Sequence, residues 1–198
     1  MSKFRITHLI KIGEKQYMEK LLGGEIYMKN INYFREYEES YQNNSRGDRY
    51  ECYDFISQNN KIFILDEMMS KSILEVENVN VFEDKKSFPG YLYCMYAVHS
   101  GKESVLIDKR MFEFGDYAIV IFNPNEFIRR IKSYCKERNL HPNCSPVEYY
   151  GEKIKKGLIT PFMKRDSYSY QSEARIYIHD SNPQENMTLN IGSIKDIA

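Results

Sequence analysis

Tryptophan is absent from this sequence, no two of its cysteines are spaced as C-x-x-C, and no apolar run approaches the length of a bilayer-spanning helix. The opening MSKFRITHLI has neither a sustained apolar stretch nor a small-residue cleavage site, so no signal peptide is expected. Together these absences point to a soluble, cytoplasmic protein with no membrane partner. An excess of either charge is also missing, because Lys+Arg and Asp+Glu both number 28. A strongly basic nucleic-acid-binding surface is therefore not expected. No Walker loop, G-x-G-x-x-G, H-E-x-x-H or G-x-S-x-G is present, which removes the common NTPase, dinucleotide-fold, zincin and hydrolase-elbow classes. Cys135, His141 and Cys144 lie close in sequence but lack paired-ligand spacing and a fourth partner, so no metal is expected. With Cys52 and Cys94, the cysteines read as buried thiols.

What is present suits one domain over residues 1–198, long enough to bury a sizeable core, with 42% hydrophobic and 28% charged residues. Tyrosine (17) and phenylalanine (11) are plentiful; their rings suit strands and also the faces of nucleotide-like ligands. Charge balances overall but not locally. Glu36 to Asp84 carries 12 acids and 4 bases, whereas Glu126 to Arg165 carries 10 bases and 4 acids. The basic stretch is a candidate receiver of an anionic ligand, and a solvated face is the alternative.

Alternation over Lys3 to Leu9 predicts a strand, and the spacing of Tyr17, Met18, Leu21 and Leu22 predicts a helix over Glu14 to Leu22, stopped by Gly23-Gly24. Further strands are expected at Glu25 to Met28, Lys61 to Leu65, Ile73 to Phe82, Tyr91 to Val98, Tyr117 to Phe122, Glu173 to His179 and Thr188 to Ile191. Asn123-Pro124 opens a second helix, with Asn123 as cap, Glu126 in the first turn, and His141-Pro142 at its close. Pro142 to Arg165 reads as a loop-rich basic segment. Strands outnumber helices without alternating with them, so the fold class is α+β with a mixed, mostly antiparallel sheet and a few helices.

Two polar clusters stand out. One is the Arg46-Gly47-Asp48-Arg49-Tyr50-Glu51 turn. The other runs from Phe162 to Arg175, where a strand beginning QSEARIYI puts Gln171, Glu173 and Arg175 on one face. Long polar side chains on an inner strand are costly to bury unless they pair with each other or face a ligand. Both outcomes, an internal ion network and a ligand site, are open at this point.

Ile6-Thr7-His8, a helix, and then Gly24-Glu25-Ile26-Tyr27-Met28 resemble the first strand–helix–strand of ADP-ribosyltransferase-like proteins, including the DarT-type DNA-modifying toxins. The Arg46 to Glu51 loop, followed by Lys164, Tyr170, Glu173 and Arg175, also resembles an uncharacterised bacterial family found among phage-defence and abortive-infection genes. The first resemblance implies an ADP-ribosyltransferase-like fold, His8 as the residue holding an NAD ribose, and Glu173, in a Q-x-E arrangement, as the catalytic carboxylate that stabilises an oxocarbenium ion. No Ser-Thr-Ser strand precedes Glu173, and the tyrosines offer no single choice of stacking ring.

The expected function is thus binding of a nucleotide-type small molecule, NAD-derived or a cyclic nucleotide signal, in bacterium–phage conflict, by sequestration rather than conversion. Lysines and arginines would meet phosphates, tyrosines would stack on a base, and Glu173 or Asp48 would accept ribose hydroxyls, with His8, Arg46, Asp48, Lys164, Tyr170, Gln171 and Arg175 as the candidate ligand-binding residues. No cofactor is required in this reading, with NAD itself as ligand or substrate. An ADP-ribosyltransferase or NAD-cleaving toxin using Glu173, and a protein–protein anti-defence inhibitor, are the alternatives. Homo-oligomerisation stays open.

Overall fold

The computed structural model describes residues 5–34, 36, 54–65, 72–83, 88–101, 106–151 and 157–198, with residues 54–65, 72–83 and 157–158 described by backbone alone. The chain folds as α+β around a mostly antiparallel sheet. In order, the strands are β1 (Ile6–Gly13), β2 (Glu25–Asn30), β3 (Asp54–Leu65), β4 (Ser72–Glu83), β5 (Gly90–His99), β6 (Tyr117–Ile121), β7 (Pro142–Pro146), β8 (Glu148–Tyr150), β9 (Gly157–Leu158), β10 (Met163–Arg165), β11 (Glu173–His179) and β12 (Asn186–Asn190). Helix α1 is Lys15–Leu22 and α2 is Pro124–Glu137, with 3-10 helices at Lys109–Phe114 and Asp166–Gln171. No helix among the described residues is long and apolar enough to cross a membrane.

Among the described residues, seven strands form the main sheet, and the sheet forks. Its stem is β7–β11–β5, all antiparallel. The far edge of β5 is shared by two strands: β1 pairs with Tyr96 to His99, and β2 pairs only with Tyr91 and Leu92. β6 extends the first prong and β12 the second. Beyond Ile10, β1 leaves β5 and, among the described strands, continues beside β6 alone; β2 meets β5 at Lys29 and Asn30. Helix α1 links the splayed ends. It stops as expected, with Gly23 donating to Glu19 O and Gly24 at φ +95, where a Cβ would collide with the Gly192 backbone. β3 pairs with β4 and β9 in a separate sheet, and β8 with β10 in a parallel pair.

One face of the stem packs under α2. Asn123 caps that helix by accepting from the Glu126 N–H at 3.1 Å, and Pro124 fills the first helical turn. Phe127, Ile131 and Cys135 are buried against Ala174, Ile176 and Ile178, the core-facing set of β11. Each such fully buried side chain contributes about 1.5–3 kcal/mol relative to exposure. Cys144 packs against the same core, where burial pushes its thiol up to about 11. The last residues belong to this core as well. Ile194 and Ile197 are buried, Ile194 N–H donates to Leu22 O, and Phe122 N–H donates to Ile197 O.

The structure corrects several expectations. β1 runs Ile6–Gly13 rather than ending at Leu9, because Ile10 and Ile12 continue the alternation. Helix α2 ends at Glu137; Pro142 opens a strand instead of closing the helix. The segment Pro142 to Arg165 is not mainly loop, since it supplies β7, β8, β9 and β10. Gln171 and Ser172 are not part of the strand: Gln171 ends a 3-10 helix, and Ser172 is left-handed, at φ 40 and ψ 51.

Candidate functional site

On the face of the stem opposite α2, the even-spaced side chains of β11 are Glu173, Arg175 and Tyr177, and the residues paired with them on β5 are Tyr96, Cys94 and Leu92. Here a cavity of about 620 Å³ opens, floored by β5 and β11 and extending through the fork toward α1. Its volume is in the range of small-molecule sites.

The floor holds a buried ion cluster. Lys164 Nζ donates to Glu173 Oε1 at 2.6 Å and to Gln171 Oε1 at 2.6 Å. Arg175 Nε donates to Glu173 Oε2 at 2.7 Å, and its guanidinium also donates to the Pro161 carbonyl at 2.7 Å. All four side chains line the cavity, yet they are only 5% (Lys164), 2% (Gln171), 6% (Glu173) and 2% (Arg175) exposed. Burial alone would raise the Glu173 carboxyl; the Arg175 and Lys164 charges, with their hydrogen bonds, outweigh it and hold the pKa well below the usual carboxylate range. Tyr149 fixes the strand start, its hydroxyl accepting from the Glu173 N–H at 2.7 Å.

Lys11 completes the polar lining. It is the first residue of β1 beyond the last pairing with β5, and its ammonium donates to the Cys94 carbonyl at 2.7 Å while lying 4.4 Å from the Tyr93 ring centroid. Had β1 kept its register, Ile12 would stand opposite Cys94. A side-chain ammonium thus takes the ladder bond that the departing strand gives up. Half-buried Cys94 sits amid this chemistry: desolvation pushes its thiol up to about 12, with Glu173 acting in the same direction and Arg175, Lys164 and Lys11 against it.

Rings form much of the remaining wall. Tyr17 and Tyr27 are about half exposed at the mouth. Tyr33 and Phe34 meet edge to face at 5.4 Å, and Lys29 Nζ lies 4.7 Å from the Tyr33 centroid. Met111 and Phe114 of the Lys109–Phe114 3-10 helix close one side. That helix ends at Gly115, where φ is +146 and a Cβ would collide with the Gly13 backbone.

Of the residues singled out from sequence, the structure brings together Lys164, Gln171, Glu173 and Arg175. Tyr170 adjoins them, its hydroxyl accepting from Gln171 Nε2 at 3.1 Å, and its ring carries the Arg110 guanidinium at 3.5 Å rather than lining the cavity. His8 is not in the cavity wall. It pairs with Val98, and its Nδ1 lies 3.1 Å from the Thr7 hydroxyl. Arg46 and Asp48 lie outside the described residues. Lys11 and Tyr149 were missed. The signal for Lys11 was the polar interruption in Ile10-Lys11-Ile12, hidden because the expected strand stopped too early. Compared with known proteins, the chain matches no family model, no curated protein and no solved structure, so the reading of this site rests on its own geometry.

Proposed function

We propose that the protein binds an anionic nucleotide-type ligand in the forked-sheet cavity and holds it without breaking its glycosidic bond. The observation that carries this reading is the state of Glu173: each carboxylate oxygen is already engaged by a buried cation, inside a cavity lined by lysines and aromatic rings. A carboxylate neutralised from two sides stabilises a developing oxocarbenium ion poorly, whereas cations and rings suit phosphates and bases. The resemblance of the Lys164 to Arg175 segment to phage-defence proteins supports sequestration of a signal nucleotide in bacterium–phage conflict.

A second reading, ADP-ribosyl transfer or NAD cleavage through Glu173, is favoured by one observation: this carboxylate begins an inner strand and faces the cavity. An ADP-ribosyltransferase-like fold belongs to that proposal. Chromatography of NAD, ADP-ribose and cyclic dinucleotides after incubation with the purified protein separates the two. Sequestration predicts a compound lost from the ultrafiltrate and returned intact when the protein is heated. Appearance of nicotinamide would establish the second reading instead, and compounds that all stay free and unchanged would remove both.

A further inference from the structure

Among the described residues, the cavity floor carries two separate apolar clusters with charged side chains between them. Leu92, Cys94 and Tyr96 share the cavity face of β5. Leu92 packs with Ile31, Tyr177 and Phe34, at the end of β5 that meets β2. Tyr96 packs with Ile10, Met111 and Phe114, at the end that meets β1. Cys94 stands between them, opposite Arg175, with its carbonyl held by Lys11 and with Glu173 and Lys164 close by. Phe34 and Leu92 from one cluster, and Tyr96, Met111 and Phe114 from the other, line the same cavity. Leu92 and Tyr96 are four residues apart on an extended strand, which separates the two clusters by about 13 Å.

We propose that this cavity takes a ligand with a ring system at each end and a polar bridge between them. The ligand is a dinucleotide, with one base against Phe34 and Leu92, the other against Met111 and Phe114, and its sugar–phosphate bridge over Cys94. The inference rests on the nucleotide reading and narrows it, because a mononucleotide has one base and fills one end alone. The order of polarity along the floor carries the argument. An apolar bridge lying over the charged belt would strip water from it and return no hydrogen bonds. Ribose hydroxyls and phosphate oxygens supply both donors and acceptors there. At the two ends the preference reverses, and flat rings gain contact with apolar walls. A linear dinucleotide drawn out along a strand, or a cyclic one with its bases splayed, spans the separation of the clusters. Phe34 and Phe114 are both half-buried, so each ring keeps surface that a base can cover.

Isothermal titration of the full chain tests this by pairing two-base probes with single-base ones. Diadenosine diphosphate is compared with ADP, and cyclic di-AMP with cyclic AMP, on wild type, Phe34→Leu and Phe114→Leu. Leucine keeps apolar bulk at each end and removes the ring; near-ultraviolet circular dichroism checks that each variant keeps its fold. The expected result is a two-base probe bound about tenfold or more tightly than its single-base counterpart, and weakened about fivefold or more by each variant. The single-base counterpart should respond to one variant and not to the other. An advantage confined to diadenosine diphosphate identifies an open dinucleotide, and one confined to cyclic di-AMP a cyclic one. Single-base probes bound as tightly as both two-base probes overturn the inference and leave the nucleotide reading intact. Unchanged affinity for the two-base probe in either folded variant does the same. If a variant loses its fold, the wild-type comparison decides by itself. If none of the four compounds binds, the inference and the nucleotide reading fail together.

Discussion

Replacing Glu173 by glutamine would keep the shape of the side chain and remove the negative charge between Lys164 and Arg175. Two enclosed cations would then face each other across a neutral amide, a change expected to cost about 3–5 kcal/mol in a denaturant titration at neutral pH. The acid limb of stability should change too. Because the folded carboxyl sits far below the unfolded value of about 4.3, its contribution is complete above that pH and is lost as the pH falls below it. The urea midpoint of the wild type should therefore drop between about pH 5 and pH 3, and that of Glu173→Gln should drop less. Equal slopes in the two proteins would show that the pairing contributes nothing. Glu126, held down to about 2 by Arg129 and Arg130, and Asp108, held down to about 2 by Arg110, act in the same direction, but both pairs are exposed and screened. At this scale the sequence was informative where alternation alone decides the outcome: Glu173 and Arg175 share a face because they are two apart. It was silent where a side chain works through a departing strand, as Lys11 does. Gln171 reached the expected cluster by another route, through the left-handed turn at Ser172, whose Oγ donates to Ala97 O at 3.0 Å.

Helix α2 was legible down to its cap because every signal falls within four residues, from the Asn123 side chain to the Glu126 carboxylate. Asn123→Ala should cost about 1 kcal/mol of stability, read as a lowered melting temperature with unchanged ligand affinity. A change in affinity of similar size would mean that α2 positions the cavity floor rather than merely backing it. Strand β7 was illegible for an equally physical reason. Its sequence, Pro-Asn-Cys-Ser-Pro, has proline at both ends and little strand propensity, so nothing local announces a strand. Among the described residues it pairs only with β11, and an edge strand can hold residues that lack an N–H. Its presence makes β11 an inner strand, hydrogen-bonded along both edges, and the enclosure of Glu173 and Arg175 then comes from what covers the face they share.

For the molecule as a whole, the α+β class and the mostly antiparallel sheet followed from the count and spacing of strands, but the fork did not. Forking depends on which halves of β5 are occupied, and that information is carried by pairing between distant segments rather than by any local pattern. The same arrangement bears on how the chain acquires its structure in time. The bond from Thr7 to the Val98 carbonyl closes 91 residues, and that from Ser172 to the Ala97 carbonyl closes 75. β5 is thus a meeting place for the two ends of the polypeptide, and its partners come together only after long loop closures, which slow folding. Native-state hydrogen exchange should find the β5 amides opening only with the whole molecule, while α2, built from neighbouring contacts, frays and recloses on its own. Faster exchange in β5 than in α2 would contradict this. If it holds, the cavity floor survives every local opening of the molecule and is lost only when the whole fold is lost.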